Sequence, residues 1–293
     1  MIDLHTHTTA SDGQYTPSAL AEKINNLNIS VWAVTDHDTV AGLKEAEAAA
    51  QKYGITFVPG IELNIERPGC EFHLLGLGLN KIKKSLTDII DGLQNSRLER
   101  NLEIVRRMNA DGINVSIEEL TKEFPAYSLG RPHIAKWLVE NNIVKNTQAA
   151  FDKYLARGRP WYIERVGADF DKAVAAIYDC GGLPVIAHPL SLYLSWGKLE
   201  PALEDLKSRG LAGLEAYHPG ARLVEGKRLE AIARKLELFV TAGSDFHGEA
   251  VRRDRKPAHA RGDMIIEDRF WTEELSPALI KQNELKNSFT GGL

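Results

Sequence analysis

Apolar positions in the first 80 residues come in short runs separated by amphipathic stretches. Ile2–His5, Val31–Val34 and Ile55–Val58 have the length and content of strands, the third continuing irregularly through Pro59-Gly60 to Ile61-Glu62. Phe72–Leu79 forms a fourth run, loosened by Gly76 and Gly78. Between these runs Thr16-Pro17 has the form of a helix start, Thr16 as N-cap and Pro17 in the first helical position, running to about Leu27. Thr39 to about Tyr53 is rich in Ala, Glu and Lys and stops at Gly54, so it predicts a second helix.

The rhythm changes near residue 81. From there to about 165 the spacing is helical, as in Leu86/Ile89/Ile90/Leu93 and Leu102/Val105/Met108, with Ile134/Leu138 and Ala150/Tyr154 marking further helices. Strand and helix then alternate again. A helix from about Asp169 to Tyr178 precedes a strand Leu183–Ala187. A helix Leu199–Ser208 precedes a strand Gly213–Ala216. A helix from about Leu223 to Leu236 precedes a strand Leu238–Ala242. Repeated strand–helix units predict an α/β fold with a parallel sheet, open or closed. The expected organisation is a body of residues 1–80 and 166–293 carrying an all-helical insertion at 81–165, with an irregular, polar tail from about Ala250.

Composition narrows the function classes. Hydrophobic content of 43% with 26% charged residues suits a globular chain rather than a disordered one. No apolar run reaches membrane-spanning length, and a strand beginning at residue 2 leaves no room for a signal peptide, so a cytoplasmic protein is expected. The two cysteines, Cys70 and Cys180, have no paired Cys-x-x-Cys spacing, which predicts neither a zinc knot nor a disulfide framework. A net charge of −4 argues against bulk coating of nucleic acid. Residues 81–165 carry 15 Lys/Arg against 11 Asp/Glu, or +4, and the remainder 21 against 29, or −8. A basic insert on an acidic body suits an anionic substrate in one part and metal in the other; solvated helix faces would give the same imbalance.

The histidines carry the chemical signal. Of nine, six sit at or just beyond an apolar run: His5, His7, His37, His73, His188 and His247. Glu62 closes Phe-Val-Pro-Gly-Ile-Glu, and Asp245 lies within Gly-Ser-Asp-Phe-His. His5 and His7, two apart on a strand, share one face. In parallel α/β folds the C-terminal strand ends share one rim, where active sites lie. Imidazoles and carboxylates without thiolates favour Mn²⁺, Zn²⁺ or Fe, and so many ligands imply more than one ion.

The order His-x-His, Ser-Asp-Gly, Thr-Asp-His-Asp, Gly-Ile-Glu, His, Ala-His-Pro and Gly-Ser-Asp-Phe-His resembles the polymerase-and-histidinol-phosphatase (PHP) family, with motifs from His5 to His247. The resemblance implies a distorted seven-stranded (β/α) barrel and two or three divalent transition-metal ions, Mn²⁺ first, with Zn or Fe as alternatives. By position it assigns His5, His7, Glu62 and Asp245 to one ion, and Glu62, His73 and His188 to a second. Asp12, His37 and His247 would hold the third, with Asp12 standing where some relatives have histidine. Asp36 and Asp38 are expected to orient imidazoles or cap the next helix. The helical insert with Gly130-Arg131-Pro132-His133 is similar to a subgroup acting on 3′,5′-nucleoside bisphosphates or trimming 5′-monophosphorylated RNA.

Arg131 is the natural phosphate clamp, because a guanidinium fork matches phosphoryl oxygens. His133 either faces the site or packs at a helix start. His218, in Ala-Tyr-His-Pro, is a candidate to bind phosphate or protonate the leaving group, with a structural loop histidine as the alternative. Trp161-Tyr162 either stack a base or are buried at the domain junction. Arg252–Arg255 reads as a solvated basic loop, and His259 as a tail residue. Water activated by the ions would attack phosphorus in line. The expected partner is a nucleotide or short 5′-phosphorylated RNA, with no membrane and no obligate protein partner. Within the enzyme class a histidinol-phosphate phosphatase is an alternative, and an amidohydrolase fits Ser-Asp-Phe-His poorly. A metal-stabilised binding module is the alternative from another class.

Overall fold

The structure, a computed structural model, describes residues 1–67, 72–122 and 129–290. The chain divides into two compact units, residues 1–89 with 168–293 and residues 90–167. Cys70 lies outside the described residues, and Cys180 is buried. No helix among the described residues is long and apolar enough to cross a membrane.

The first unit is a seven-stranded sheet in chain order: β1 (Ile2–Asp3), β2 (Val31–Val34), β3 (Thr56–Asn64), β4 (His73–Leu77), β5 (Leu183–Ile186), β6 (Gly213–Tyr217) and β7 (Phe239–Ala242). Its helices are α1 (Pro17–Asn26), α2 (Leu43–Tyr53), the start of α3 (Lys84–Ala110), and, beyond the second unit, α7 (Phe170–Asp179), α8 (Trp196–Ser208), α9 (Leu223–Lys235) and α10 (Ser276–Thr290). The division between the units falls inside α3. Its first turn is tied to α7, with Ser85 Oγ donating to Asp179 at 2.7 Å and Lys83 Nζ to the same carboxylate at 2.6 Å.

The sheet curls until its edges meet. Beyond β1 and β7, Thr6 and Phe246 form a parallel bridge. His7 N–H donates to Phe246 O and Asp245 N–H to His5 O, both at 2.9 Å. The result is the distorted seven-stranded barrel that the strand–helix pattern and the resemblance imply. The expectation of a parallel sheet holds for most pairs and fails at β4, which runs antiparallel to both β3 and β5. The link from Asn64 to His73 is too short for the crossover that a parallel pair requires.

Local signals explain most helix limits. Thr16 Oγ1 accepts from Ala19 N at 3.2 Å, as its N-cap position requires. Asp169 likewise caps α7 through Lys172 N at 2.9 Å. The helix expected from Thr39 begins instead at Leu43, because Thr39 Oγ1 accepts from Ala41 N and Leu43 N bonds to Val40 O, closing a turn first. The tail is more ordered than its composition suggests. Asp3, fully buried, accepts from Ser244 N and Oγ and from Ala258 N, tying residue 258 to β1. Beyond it lies α10, which the sequence reading does not anticipate.

The second unit continues α3 and adds α4 (Ile117–Leu120), α5 (Arg131–Glu140) and α6 (Thr147–Ala150). Ile104, Met108, Ile134, Leu138, Leu155 and Trp161 belong to its core. Trp161 stacks on Tyr154 with ring centroids 3.9 Å apart, and its Nε1 donates to Asp111 at 2.7 Å. Fully buried in this way, Trp161 is a core residue of the helical unit and presents no free face to a base.

Candidate metal and phosphoester site

Strand direction assembles the site. Parallel strands deliver His5 and His7 after β1, His37 after β2, His188 after β5, and Asp245 and His247 after β7 at one rim. His73 is different: it opens its strand rather than closing an apolar run. Because β4 is antiparallel, its N-terminal residue reaches the same rim, paired in register with Asn64.

Glu62, fully buried, sits among five imidazoles. Its Oε1 lies 2.9 Å from His73 Nδ1 and 3.0 Å from His188 Nε2. Its Oε2 lies 2.9 Å from His37 Nδ1, 3.3 Å from His7 Nε2 and 3.4 Å from His5 Nε2. Asp245 Oδ1 lies 3.2 Å from His7 Nε2 and 3.6 Å from His5 Nε2. Asp12 Oδ1 is 3.3 Å from His247 Nε2. Three overlapping groups could each hold an ion: His5, His7 and Asp245; His37, Glu62 and His73; and His7, Asp12, His37 and His247. All nine residues singled out as metal ligands in the sequence thus converge on one rim. His7 and His37 each belong to two of the groups.

Satisfaction of the buried polar atoms tests whether cations fit here. His5 Nε2, both ring nitrogens of His7, His37 Nδ1 and Glu62 Oε2 are buried and make no hydrogen bond among the described residues. Buried polar atoms are rarely left so. Spacings near 3 Å between such atoms follow from ligand bonds of ~2.1 Å to a shared ion. The residues present fit divalent cations.

Electrostatics agree. Burial and the neighbouring His247 and His37 push the His7 pKa down to about 3, keeping it a neutral donor. Burial opposes protonation of His247 as well, but the Asp12 and Asp245 charges prevail and lift it to about 8. Burial would raise the Glu62 pKa; the charges of His37, His5 and His73 overcome this and hold it well below the carboxylate range.

Further groups orient the rings. His5 Nδ1 donates to Glu215 Oε1 at 2.9 Å, which turns the Nε2 lone pair toward Glu62 and Asp245. Glu215 Oε2 accepts from His188 N at 2.7 Å. The register of β6 against β7 shifts between Glu215 and Tyr217, a bulge of the kind that re-aims a side chain at a rim. His247 Nδ1 donates to Asp245 O at 2.9 Å, leaving Nε2 for Asp12. His188 and Asp245 have positive φ, 29° and 51°, strained conformations for non-glycine residues. Glu215 is absent from the residues singled out in the sequence.

Among the described residues Asp36 neither orients an imidazole nor caps a helix. It accepts from Thr8 N at 2.7 Å and from the Thr8 and Ser11 hydroxyls at 2.6 Å, fixing the turn that carries Asp12. Asp38 accepts from Asn64 N at 3.0 Å, joining the ends of β2 and β3.

A cavity of about 280 Å³ adjoins the rim, lined by His188, Ser191, His218, Asp245, Arg252 and Arg255 among others. His218 Nε2 lies 3.3 Å from Asp245 Oδ2, so this histidine belongs to the site. Arg252–Arg255 is not simply a solvated loop: Arg255 is buried against His218, and Arg252 Nη1 lies 3.4 Å from Asp245 Oδ2. His259 donates from Nδ1 to Pro257 O, two residues earlier.

Arg131 and His133 lie in the helical unit. Arg131 Nη1 donates to Leu155 O at 3.2 Å and its guanidinium sits 5.3 Å from the Tyr162 ring centre. His133 Nδ1 accepts from Gly130 N at 2.9 Å at the start of α5.

Comparison with known proteins gives this geometry its family. The PHP domain model matches residues 3–166. The chain is 32% identical to a 5′-3′ exoribonuclease of Haemophilus influenzae, with 84% of this chain and 89% of that protein covered. It is also 32% identical to a 3′,5′-nucleoside bisphosphate phosphatase of Chromobacterium violaceum, over 84% and 87%. A solved structure of an amidohydrolase from C. violaceum, with bound sulfate and no metal, superposes with a TM-score of 0.82 at 28% identity, covering 96% of both chains. A Bifidobacterium adolescentis structure described as a metal-dependent phosphoesterase superposes with a TM-score of 0.78 at 28% identity, over 96% and 95%. The family model spans more than half the chain and the relatives most of it, so this chain belongs to the PHP domain family and is a metal-dependent phosphoesterase.

Proposed function

We propose that the chain hydrolyses phosphate esters of nucleotides, releasing phosphate from 3′,5′-nucleoside bisphosphates and acting on short 5′-monophosphorylated RNA from its 5′ end. The observation that carries this reading is one buried carboxylate, Glu62, shared by five imidazoles beside a cavity lined in part by arginines. Its extent suits a phosphoryl group and the sugar bearing it, being just below the ~300 Å³ at which ligand pockets begin. The names of the exoribonuclease and bisphosphatase relatives support the substrate class, and the sulfate on the C. violaceum structure supports anion binding by such a fold.

His5, His7, Glu62 and Asp245 would hold one ion, Glu62, His73 and His188 a second, and Asp12, His37 and His247 a third, with Mn²⁺ first and Zn²⁺ or Fe as alternatives. Bound there, the ions would supply Lewis-acid polarisation of phosphoryl oxygens and a lowered pKa for water. Glu215 holds the His5 ring in place for this, and His218 stands beside Asp245 where it can hand a proton to a departing ester oxygen. Burial lowers the His218 pKa despite the opposing Asp245 hydrogen bond and the Glu215 charge, so the resting ring is neutral and must first be protonated to act as the donor. In the helical unit, Arg131 would clamp phosphoryl oxygens of the substrate and His133 would assist in binding it. The enzyme works in the cytoplasm and needs no protein partner.

Phosphate release by Mn²⁺-loaded protein should be compared for adenosine 3′,5′-bisphosphate, 5′-mononucleotides, histidinol phosphate and 5′-phosphorylated oligoribonucleotides. The bisphosphate or the oligoribonucleotide should turn over fastest. Preference for histidinol phosphate would reassign the substrate class, and no turnover of any would leave a metal-stabilised binding module.

A further inference from the structure

The surroundings of Arg255 are poorly explained by folding alone. Its side chain is 8% exposed, and its Nε makes no hydrogen bond among the described residues. The nearest carboxylate oxygens are those of Asp254, 3.6 Å from Nε, and Asp245, 3.9 Å from Nη2. Asp254 is largely in solvent, which screens it.

The remaining contact is with His218, Nη1 to Nε2 at 3.2 Å, and it is a poor one. Gly220 N–H donates to His218 Nδ1 at 2.9 Å, which makes Nδ1 the acceptor and places the ring proton of neutral His218 on Nε2. That proton faces Asp245 Oδ2 at 3.3 Å. Arg255 Nη1–H therefore meets another donor. A guanidinium is always charged and carries five donors; this one is buried with no acceptor among the described residues well placed for it.

Charge makes the same point. Asp245 Oδ2 is approached by Arg252, Arg255 and His218, while Oδ1 of the same carboxylate faces His5, His7 and His247. One negative charge turned toward a cation site cannot also neutralise two guanidinium groups. Glu215, also on the cavity wall, has its oxygens committed to His5 Nδ1 and His188 N. Among the described residues the two guanidinium groups beside Asp245 are thus left without a close carboxylate of their own, a partner that an incoming anion would supply.

We propose that Arg252 and Arg255 form an anion clamp that holds a phosphoryl group of the substrate beside Asp245 and His218. The ligand class rests on the phosphoester reading; the clamp itself rests on the arginines. Two guanidinium forks present parallel N–H donors at the spacing of phosphoryl oxygens. On binding, Arg255 exchanges its donor–donor contact with His218 for an anionic acceptor, leaving the His218 Nε2 proton bonded to Asp245.

The test is inorganic phosphate binding to chelator-stripped protein, measured by titration calorimetry, together with metal content and steady-state kinetics after Mn²⁺ reloading. Arg255→Gln should weaken phosphate binding at least tenfold and raise KM for adenosine 3′,5′-bisphosphate comparably at unchanged metal content. Arg255→Lys should recover part of the loss. Should Arg255→Gln fail to fold, Arg252→Gln, at a half-exposed position, carries the test with an expected loss of at least threefold. Phosphate binding that is absent in the wild type, or equal in wild type and variants, overturns the clamp. If the wild type turns over the bisphosphate while the arginines prove dispensable, the clamp fails and the reaction stands. If phosphate binding needs the arginines but no phosphoester is hydrolysed, the reaction fails and the clamp stands.

Discussion

The backbone N–H of Asp245 donates to the carbonyl of His5 at 2.9 Å, joining the end of the last barrel strand to the end of the first. That bond and the Thr6–Phe246 bridge both close the sheet and complete the rim. Fold and site are therefore coupled: His5 and His7 face Asp245 only when the barrel is shut.

Gly243 is where this closure is tightest. A Cβ at this position would fall 2.2 Å from His5 Cβ and 2.8 Å from Glu215 Oε1. Gly243→Ala should destabilise the protein by about 1–3 kcal/mol, the range for overpacking, and weaken metal binding with it. Thermal melts with and without Mn²⁺ check this; a variant melting like the wild type in both would show that the strand ends separate easily.

Glu215 acts through His5. Glu215→Gln should lower metal affinity about 10- to 100-fold, the usual effect of losing the carboxylate that orients a ligating histidine. Competition against a chelator measures it. Unchanged affinity would mean that packing alone orients the His5 ring.

Acid stability should depend on Glu230. Its carboxylate accepts from Arg269 at 2.9 and 3.1 Å, from Arg234 at 3.1 Å and from Tyr217 Oη at 2.7 Å. The Arg269 hydrogen bonds, opposed by burial, carry its pKa from 4.5 down to about 2. The folded-state value lies below the unfolded one, so the stabilisation is complete above about pH 4.5 and is lost as pH falls toward 2. Glu230→Gln should cost about 1–2 kcal/mol at pH 7, with the gap narrowing through that window. Denaturant unfolding of metal-free protein at several pH values checks the sign; a gap independent of pH contradicts it.

Arg131 tests the role of the helical unit. Arg131→Ala should raise KM for adenosine 3′,5′-bisphosphate about tenfold or more, the loss of a charge-assisted bond, and leave metal content intact. An unchanged KM would show that this arginine serves its contacts with Leu155 and Tyr162 instead, and loss of metal would show that it supports the metal site rather than the phosphate.

The barrel and the residues gathered at its rim were largely legible, because short apolar runs ending in histidine or carboxylate repeat along the chain. His73 was found for an incomplete reason, since hydrophobic pattern carries no strand direction and only pairing reveals that β4 is reversed. Glu215 escaped because a lone glutamate in Gly-Leu-Glu-Ala-Tyr looks like the solvent face of a strand, whereas β6 is buried throughout and bulged at that point. Arg255 escaped because a run of charges reads as solvated unless tertiary contacts cover it, here with His218 and Asp245. For α10 the Ser-Pro start was present, but Ile280 faces solvent, which blurs the apolar stripe.

The central claim is that Glu62 organises a multinuclear metal centre. Elemental analysis of purified wild type and Glu62→Gln, both equilibrated with Mn²⁺ and desalted, tests it most directly. The account predicts two or three ions per chain in the wild type and at least one fewer in the variant. A wild type that binds no metal, or a variant that retains the full complement, would contradict it.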